Sequence, residues 1–250
     1  MLTNERHEFI LDLLEQKQTI KIQDIVDETG ASESTIRRDL TELENRQLLV
    51  RVFGGAVLPG RNLSEPSIVD KSTRNLEEKI KLAKYAASFV HEGDSVFLDA
   101  GTTTFQMIPF LKEKEIVVVT NGLTLVDSLN EHGITTYLTG GLMKSRTGAM
   151  VGSQTIQSLM NYRFDICFLG VNGFHPEYGY TTPDPEEAAI KRLASSYARK
   201  TYVLADHSKA NQVSFAKIMD LDGADLIIAE IDQHMMELLK KKTTVKVESQ

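Results

Sequence analysis

Asp99, Gly101, Thr102, Thr103 and Thr104 stand together directly after an apolar run, and four further clusters of the same kind follow later in the chain. Thr120 and Asn121 with Gly122 end a second run, and Thr139 with Gly140 and Gly141 end a third. Gly170 with Asn172 and Gly173 close a fourth, and Asp206 with Lys209 a fifth. Glycine lets a backbone approach a ligand closely, while Thr, Asn, Asp and Lys supply directional donors and acceptors. A Gly-Thr-Thr turn opening a helix offers backbone N–H groups and hydroxyls, which suits a phosphate. No Gly-Lys-Ser/Thr follows the first run, so it is not a nucleotide P-loop, and no Gly-x-Gly-x-x-Gly occurs. A small phosphorylated metabolite fits these loops better than a nucleotide. Near the N-terminus a different chemistry is written. Ser34, Arg37, Arg38 and Thr41 share one side of a helical pattern, with Ile36, Leu40 and Leu43 on the other. That polar side carries two guanidiniums for guanine edges or phosphates and short hydroxyls for close backbone approach.

The polar side alone would also describe an ordinary amphipathic helix; the flanking elements decide between the two. Asn4 to Leu14 holds Phe9, Ile10, Leu13 and Leu14 at helical spacing, and Thr19 to Ile22 alternates as a short strand. Gln23 to Thr29 reads as a second helix with Ile25 and Val26 inward, Gly30 as its turn, and Ser32 as the N-cap of the third helix. Residues 49–53, Gly54 with Gly55, and residues 56–58 read as a hairpin wing. Helix, strand, helix, turn, helix and wing is the order of a winged helix-turn-helix. No acidic residue lies between Arg46 and Ser64, where Arg46, Arg51 and Arg61 stand. Residues 1–60 as a whole, however, carry seven basic and eleven acidic residues. DNA affinity must then come from a localised strip and from pairing of two copies rather than from broad charge.

The remainder alternates strands and helices. Residues 96–98, 116–119, 136–138, 166–169, 202–204 and 226–229 are short apolar runs; residues 76–90, 105–111, 124–130, 186–199 and 232–240 read as helices. Continuous apolar strands between helices predict an α/β domain with a mostly parallel sheet covered on both faces, whose carboxyl-end loops converge on one crevice. The turn-rich stretch 58–66 separates the halves. The expected division is therefore a winged helix-turn-helix at 1–58, a linker at 59–74 and an effector domain at 75–250.

Composition narrows the function classes. A net charge of −7 and 41% hydrophobic residues describe a chain with a sizeable core and no general affinity for polyanions or membranes. No apolar run approaches the ~20 residues of a spanning helix, and the N-terminus reads as lacking a signal-peptide core. These signs predict a cytoplasmic protein without membrane partners. The single cysteine, Cys167, lies in an apolar run and reads as core. The six histidines show no ligand spacing, so neither a metal nor another cofactor is expected. Asp184, Glu186 and Glu187 follow prolines at a helix start, where carboxylates favour the positive helix end.

Residues 3–60 resemble the winged helix-turn-helix of the DeoR family of bacterial sugar-metabolism regulators. The resemblance is carried by Ser32, by Thr35 through Leu40, by Leu43 with Glu44, and by Arg51 with Gly54, Gly55 and Ala56; where many members have His before the Gly-Gly pair, this chain has Phe53. The DNA-contact set so expected is Ser32, Ser34, Thr35, Arg37, Arg38, Thr41, Arg46, Arg51, Gly54 and Gly55. The second half is similar to the effector domain of the same family, a fold like ribose-5-phosphate isomerase. Matching positions include Glu78, Lys79, Asp99, Gly101, Thr102, Thr103, Thr120, Asn121, Gly140, Gly141, Gly170, Asn172, Gly173, Glu187, Lys191, Asp206 and Lys209. Where the family often has Thr-Asp, Ala229 and Glu230 stand here. The resemblance implies a sugar-phosphate pocket with Gly101, Thr102 and Thr103 around the phosphate and Asn121, Asn172, Asp206 and Lys209 around the sugar. It also brings Lys79, Asp99, Thr120, Gly140, Gly141, Gly173, Glu187 and Lys191 into the effector set.

Three function classes compete: a ligand-responsive repressor, a sugar-phosphate isomerase or deaminase carrying a helix-turn-helix, and a protein-binding module. Gly, Thr and Asn dominate the loops, which suits binding better than turnover, and Arg37 with Arg38 on the outer face argues against a protein groove. The reading is a repressor of a sugar-utilisation operon. It would bind double-stranded operator DNA as a homo-oligomer, dimer or tetramer, under control of a phosphorylated sugar. Residues 2–9 look like fructose-operon repressors of Gram-positive bacteria, which implies fructose 1-phosphate.

Overall fold

A computed structural model of the chain describes residues 2–17, 19–46, 48–52, 54–57 and 67–247. Backbone contacts divide the chain into two units, Met1–Leu63 and Ser64–Gln250. Phe53, Leu58, Arg61 and the rest of the expected linker core at 58–66 lie outside the described residues.

The first unit runs α1 (Thr3–Lys17), β1 (Thr19–Lys21), α2 (Ile22–Thr29), α3 (Glu33–Asn45), β2 (Val50–Val52) and β3 (Gly55–Val57). Ile10, Leu13 and Leu14 of α1 close on Ile25 of α2 and Ile36, Leu40 and Leu43 of α3, all buried. Gly30, at φ 68°, ends α2 and returns its N–H to the Val26 carbonyl at 2.8 Å, the αL stop that glycine permits. The wing hairpin pairs β2 with β3, and β1 adds to β3 to make a three-stranded antiparallel sheet. This register depends on Gly55: a Cβ there would sit 1.9 Å from the Ile20 carbonyl oxygen.

The second unit opens with α4 (Ile68–Thr73), followed by α5 (Leu76–Ala87), β4 (Ser95–Leu98), α6 (Thr102–Phe105), β5 (Val117–Thr120), α7 (Val126–Glu131) and β6 (Thr135–Leu138). Next come β7 (Leu142–Met143), β8 (Met150–Val151), α8 (Ser153–Met160), β9 (Phe164–Gly170), β10 (Gly173–His175) and β11 (Gly179–Thr182). The unit closes with α9 (Pro185–Ser196), β12 (Ala198–Ala205), β13 (Ala216–Met219), β14 (Asp225–Ile228), α10 (Gln233–Lys240) and β15 (Val245–Val247). Seven strands form one sheet in the order β15-β14-β12-β9-β4-β5-β6, every pair parallel. Residues alternate between two cores. Phe97, Cys167, Leu169, Val203 and Leu226 point into one, and Val96, Leu98, Phe168, Leu204 and Ile227 into the other. The expected α/β class with a doubly covered parallel sheet is what the chain adopts.

Several boundaries differ from the expectation. The helix expected at 105–111 begins at Thr102 and gives way to a 3₁₀ turn at Ile108–Phe110, where Pro109 lacks an N–H to continue it. The helix expected to Arg199 stops at Ser196, because β12 already begins at Ala198. The segment expected as linker contains α4, fixed by the reciprocal Ser67–Asp70 capping box and by an Ile68 N–H bond to the Arg146 carbonyl at 2.8 Å.

Candidate functional site

In the first unit, α3 presents its polar side to solvent. Ser34, Arg37 and Arg38 are exposed, as is Arg46 just past the helix. Among the described residues Arg38 and Arg46 have no side-chain ion pair. Arg37 is held by Glu33 one turn earlier, at 2.6 Å, and Arg51 donates to the Thr41 hydroxyl at 2.6 Å, tying the wing to α3. The Glu44 carboxylate accepts the Arg51 N–H at 2.8 Å, fixing the same strand from the backbone. Two expected contacts have other work. The Ser32 hydroxyl caps the helix by accepting the Thr35 N–H at 3.3 Å, and Gly55 is buried against β1, whereas Gly54 is exposed at the hairpin tip. Beneath the helix lies a group that the spacing did not reveal. Asp39 is buried, accepting from Arg6 at 2.9 Å and lying 3.3 Å from His7 Nε2. Asp39 therefore braces α1 against α3 instead of facing solvent between the arginines.

In the second unit the strand order reverses between β4 and β9, the point at which loops diverge and leave a crevice. Asp99 stands just beyond the end of β4, nearly fully buried; its Oδ2 accepts the Gly170 N–H at 3.0 Å and pairs with the Lys191 ammonium from α9. Above this pair opens a crevice of about 630 Å³, part of it open to solvent. Gly101, Thr102 and Thr103 form one wall, and Asn172, Glu187 and Lys191 another; Asp206, Lys209 and Lys79 complete it. Ile68 and Lys71 of α4 and Thr147 also line it, and these were not anticipated. The Ser-x-x-Asp start of α4 is a capping signature that could have been read.

The electrostatics are mixed but lean cationic. Lys71, Lys79, Lys191 and Lys209 face Glu187 and Asp206. Burial lowers the pKa of Lys79 against the opposing pull of Asp206, and its ammonium donates to the Lys71 carbonyl. Burial would raise the Asp206 carboxyl, but Lys209 and hydrogen bonds from Ser208 and Asn75 outweigh it and hold it below the usual carboxylate range. Asp206 Oδ1 accepts from the Asn75 amide at 3.0 Å and from the Ser208 N–H at 3.0 Å. Glu187 accepts the Thr147 hydroxyl at 2.8 Å. The crevice thus offers ammonium groups and first-turn N–H groups of α6 for an anion, and fixed carboxylates and amides for hydroxyls.

Six expected effector residues are not brought into the crevice wall. Thr120 donates to the Leu98 carbonyl at 2.6 Å, and Asn121 accepts the Ala100 N–H at 3.0 Å while its amide donates to the Met150 carbonyl at 3.2 Å. Both shape the loop beneath the site. The Gly140 carbonyl accepts the Thr155 hydroxyl at 2.7 Å. Gly141 packs on Thr155 and Gly173 on the Gln212 backbone, each too close for a Cβ. Asp99 likewise lies behind the wall, acting on the crevice through Lys191.

Comparison with known proteins decides the family. Residues 74–230 match the DeoR C terminal sensor domain, and residues 6–62 match the DeoR-like helix-turn-helix domain. The chain belongs to the DeoR family. It is 47% identical to the HTH-type transcriptional regulator FruR of Bacillus subtilis (strain 168), over 99% of both chains. It is 36% identical to a putative aga operon transcriptional repressor of Escherichia coli O157:H7, over 96% of this chain and 91% of that one. Over 54% of its length it aligns with ribose 5-phosphate isomerase A of Methanocaldococcus jannaschii, covering 55% of that chain, with 19% identity and a TM-score of 0.42. This DeoR-family protein is a DNA-binding transcriptional regulator rather than an enzyme. Among its described residues no helix is long and apolar enough to cross a membrane.

Proposed function

We propose that this DeoR-family chain represses a sugar-utilisation operon and that a phosphorylated sugar, fructose 1-phosphate first among them, controls its hold on double-stranded operator DNA. The observation that carries the reading is the crevice. Lysines from α4, α5, α9 and the 3₁₀ turn after β12 converge beside the start of α6, while Glu187 and Asp206 stand ready for hydroxyls. A phosphate needs the first set and a sugar the second. A homo-oligomer presents two α3 helices to successive major grooves, with Arg37 and Arg38 at bases or phosphates and Ser34 and Thr35 on the backbone. Arg46 and Arg51 set the wing. Ligand in the crevice favours a state whose helices no longer match the operator, which needs only ~1–3 kcal/mol of coupling.

Thermal melting against a panel of sugar phosphates, with the free sugars as controls, tests the sensor. A ligand at 100 times its dissociation constant should add about 2.7 kcal/mol. A shift for one phosphate and none for its free sugar is the expected result; a flat panel overturns the sugar-phosphate reading. Fructose 1-phosphate is favoured by the likeness of residues 2–9 to fructose-operon repressors, and the same panel ranks it against other hexose phosphates.

A further inference from the structure

The two ends of the seven-stranded sheet are treated very differently. At one end β15 carries Lys246 and follows Lys240, Lys241 and Lys242, the kind of charge that keeps an edge strand from pairing. At the other end β6 is the terminal strand, and no charged residue occurs between His132 and Lys144 or between Arg146 and Arg163. Those two stretches contain β6, β7 and α8, and they are joined: the Thr155 hydroxyl of α8 binds the Gly140 carbonyl, and the Tyr137 ring lies 5.7 Å from that of Tyr162. Large apolar side chains nonetheless face solvent across them. Leu142 is 66% exposed, Met160 54% and Tyr137 50%, with Met143, Leu138 and Ile156 beside them. Ile156 and Met160 stand one turn apart on the same face of α8.

We propose that this surface is where a second copy of the chain docks, β6 against β6 across a two-fold axis. Three observations select a copy of itself as occupant. An unpaired strand edge is satisfied by another strand edge, and antiparallel pairing of one strand with its own copy is what a two-fold axis produces. Two stretches without charged residues add no like-charge repulsion when they meet their own copies and offer nothing to steer a charged partner. Finally, the protected β15 edge leaves β6 as the open end of the sheet. The inference rests on the homo-oligomer reading and adds to it the surface.

Sedimentation velocity on the full chain, with Leu142→Glu and Met160→Glu combined, tests it. Both positions are exposed, so the fold should survive, which an unchanged melting curve and circular dichroism check. The wild type should sediment as a dimer or larger. The double variant should self-associate at least about 100-fold more weakly, the equivalent of about 2.7 kcal/mol, and Lys246→Glu should change nothing. A wild type that is monomeric at tens of micromolar overturns both the oligomer and its surface. An oligomeric wild type matched by an equally oligomeric double variant overturns the surface alone. If the variant melts early, Tyr137→Cys replaces it. Mild oxidation of that variant should give a disulfide-linked dimer, since Cys167 is buried, and failure to cross-link counts against the proposal.

Discussion

Lys191 and Lys209 line one crevice, yet their removal should have opposite signatures. Lys191 is buried with Asp99, and deleting one member of a buried pair typically costs about 3–5 kcal/mol. Lys191→Ala should therefore lower the melting temperature by roughly 10 °C before any ligand is added. Lys209 keeps partial access to solvent and sits 3.9 Å from Asp206. Lys209→Ala should shift stability by less than about 1 kcal/mol, while abolishing the melting shift on sugar phosphate and leaving operator binding intact. Loss of DNA binding in that variant would count against a separate sensor. Arg38→Ala should do the reverse: operator affinity falls by about 1–3 kcal/mol if the guanidinium reads a base, with stability and ligand binding unchanged. His207 adds a pH effect. A hydrogen bond to Glu78 raises its pKa, so the protonated imidazole is favoured in the folded chain. The stabilisation is complete below the ordinary histidine value of about 6.5 and fades as pH rises through the higher folded value. Glu78→Gln should flatten the melting temperature across that window.

At the scale of elements, the wing depends on close approach. Gly55→Ala places a methyl against the Ile20 carbonyl, so β1 and β3 must part. Electrophoretic mobility shift should report lost operator binding, and calorimetry should show the sugar-phosphate response preserved. Six of the seven strands of the large sheet, all but β15, were legible because each is a short apolar run, and α3 because Ser32 caps a clear amphipathic pattern. Other parts were not. β10 and β11 pair antiparallel as runs of only three and four residues, Gly-Phe-His and Gly-Tyr-Thr-Thr, too short and mixed to stand out as strands although β11 is buried throughout. α8 starts from Gly152 without a side-chain cap, so nothing marks its beginning. The Lys191–Asp99 pair spans 92 positions, and no local spacing encodes such a meeting. Thr120, Asn121, Gly140, Gly141 and Gly173 carry the residue types of a binding loop, but their contacts serve backbone geometry, a distinction that only packing draws.

For the molecule as a whole, a net charge of −7 sets how DNA is held. With attraction confined to the arginines around α3 and the wing, binding to random DNA should be weak and the operator complex salt-sensitive. Each phosphate neutralised contributes a slope of about −0.9 in log K against log salt. Arg46→Ala, lost from both copies of a dimer, should reduce that slope by about two; an unchanged slope would remove Arg46 from the contact surface. The position of α4 gives it two duties. This helix is both a wall of the crevice, through Ile68 and Lys71, and the first element after the boundary near Leu63. The crevice and the first helix of the second unit therefore share one wall, so whatever fills the one bears on the other.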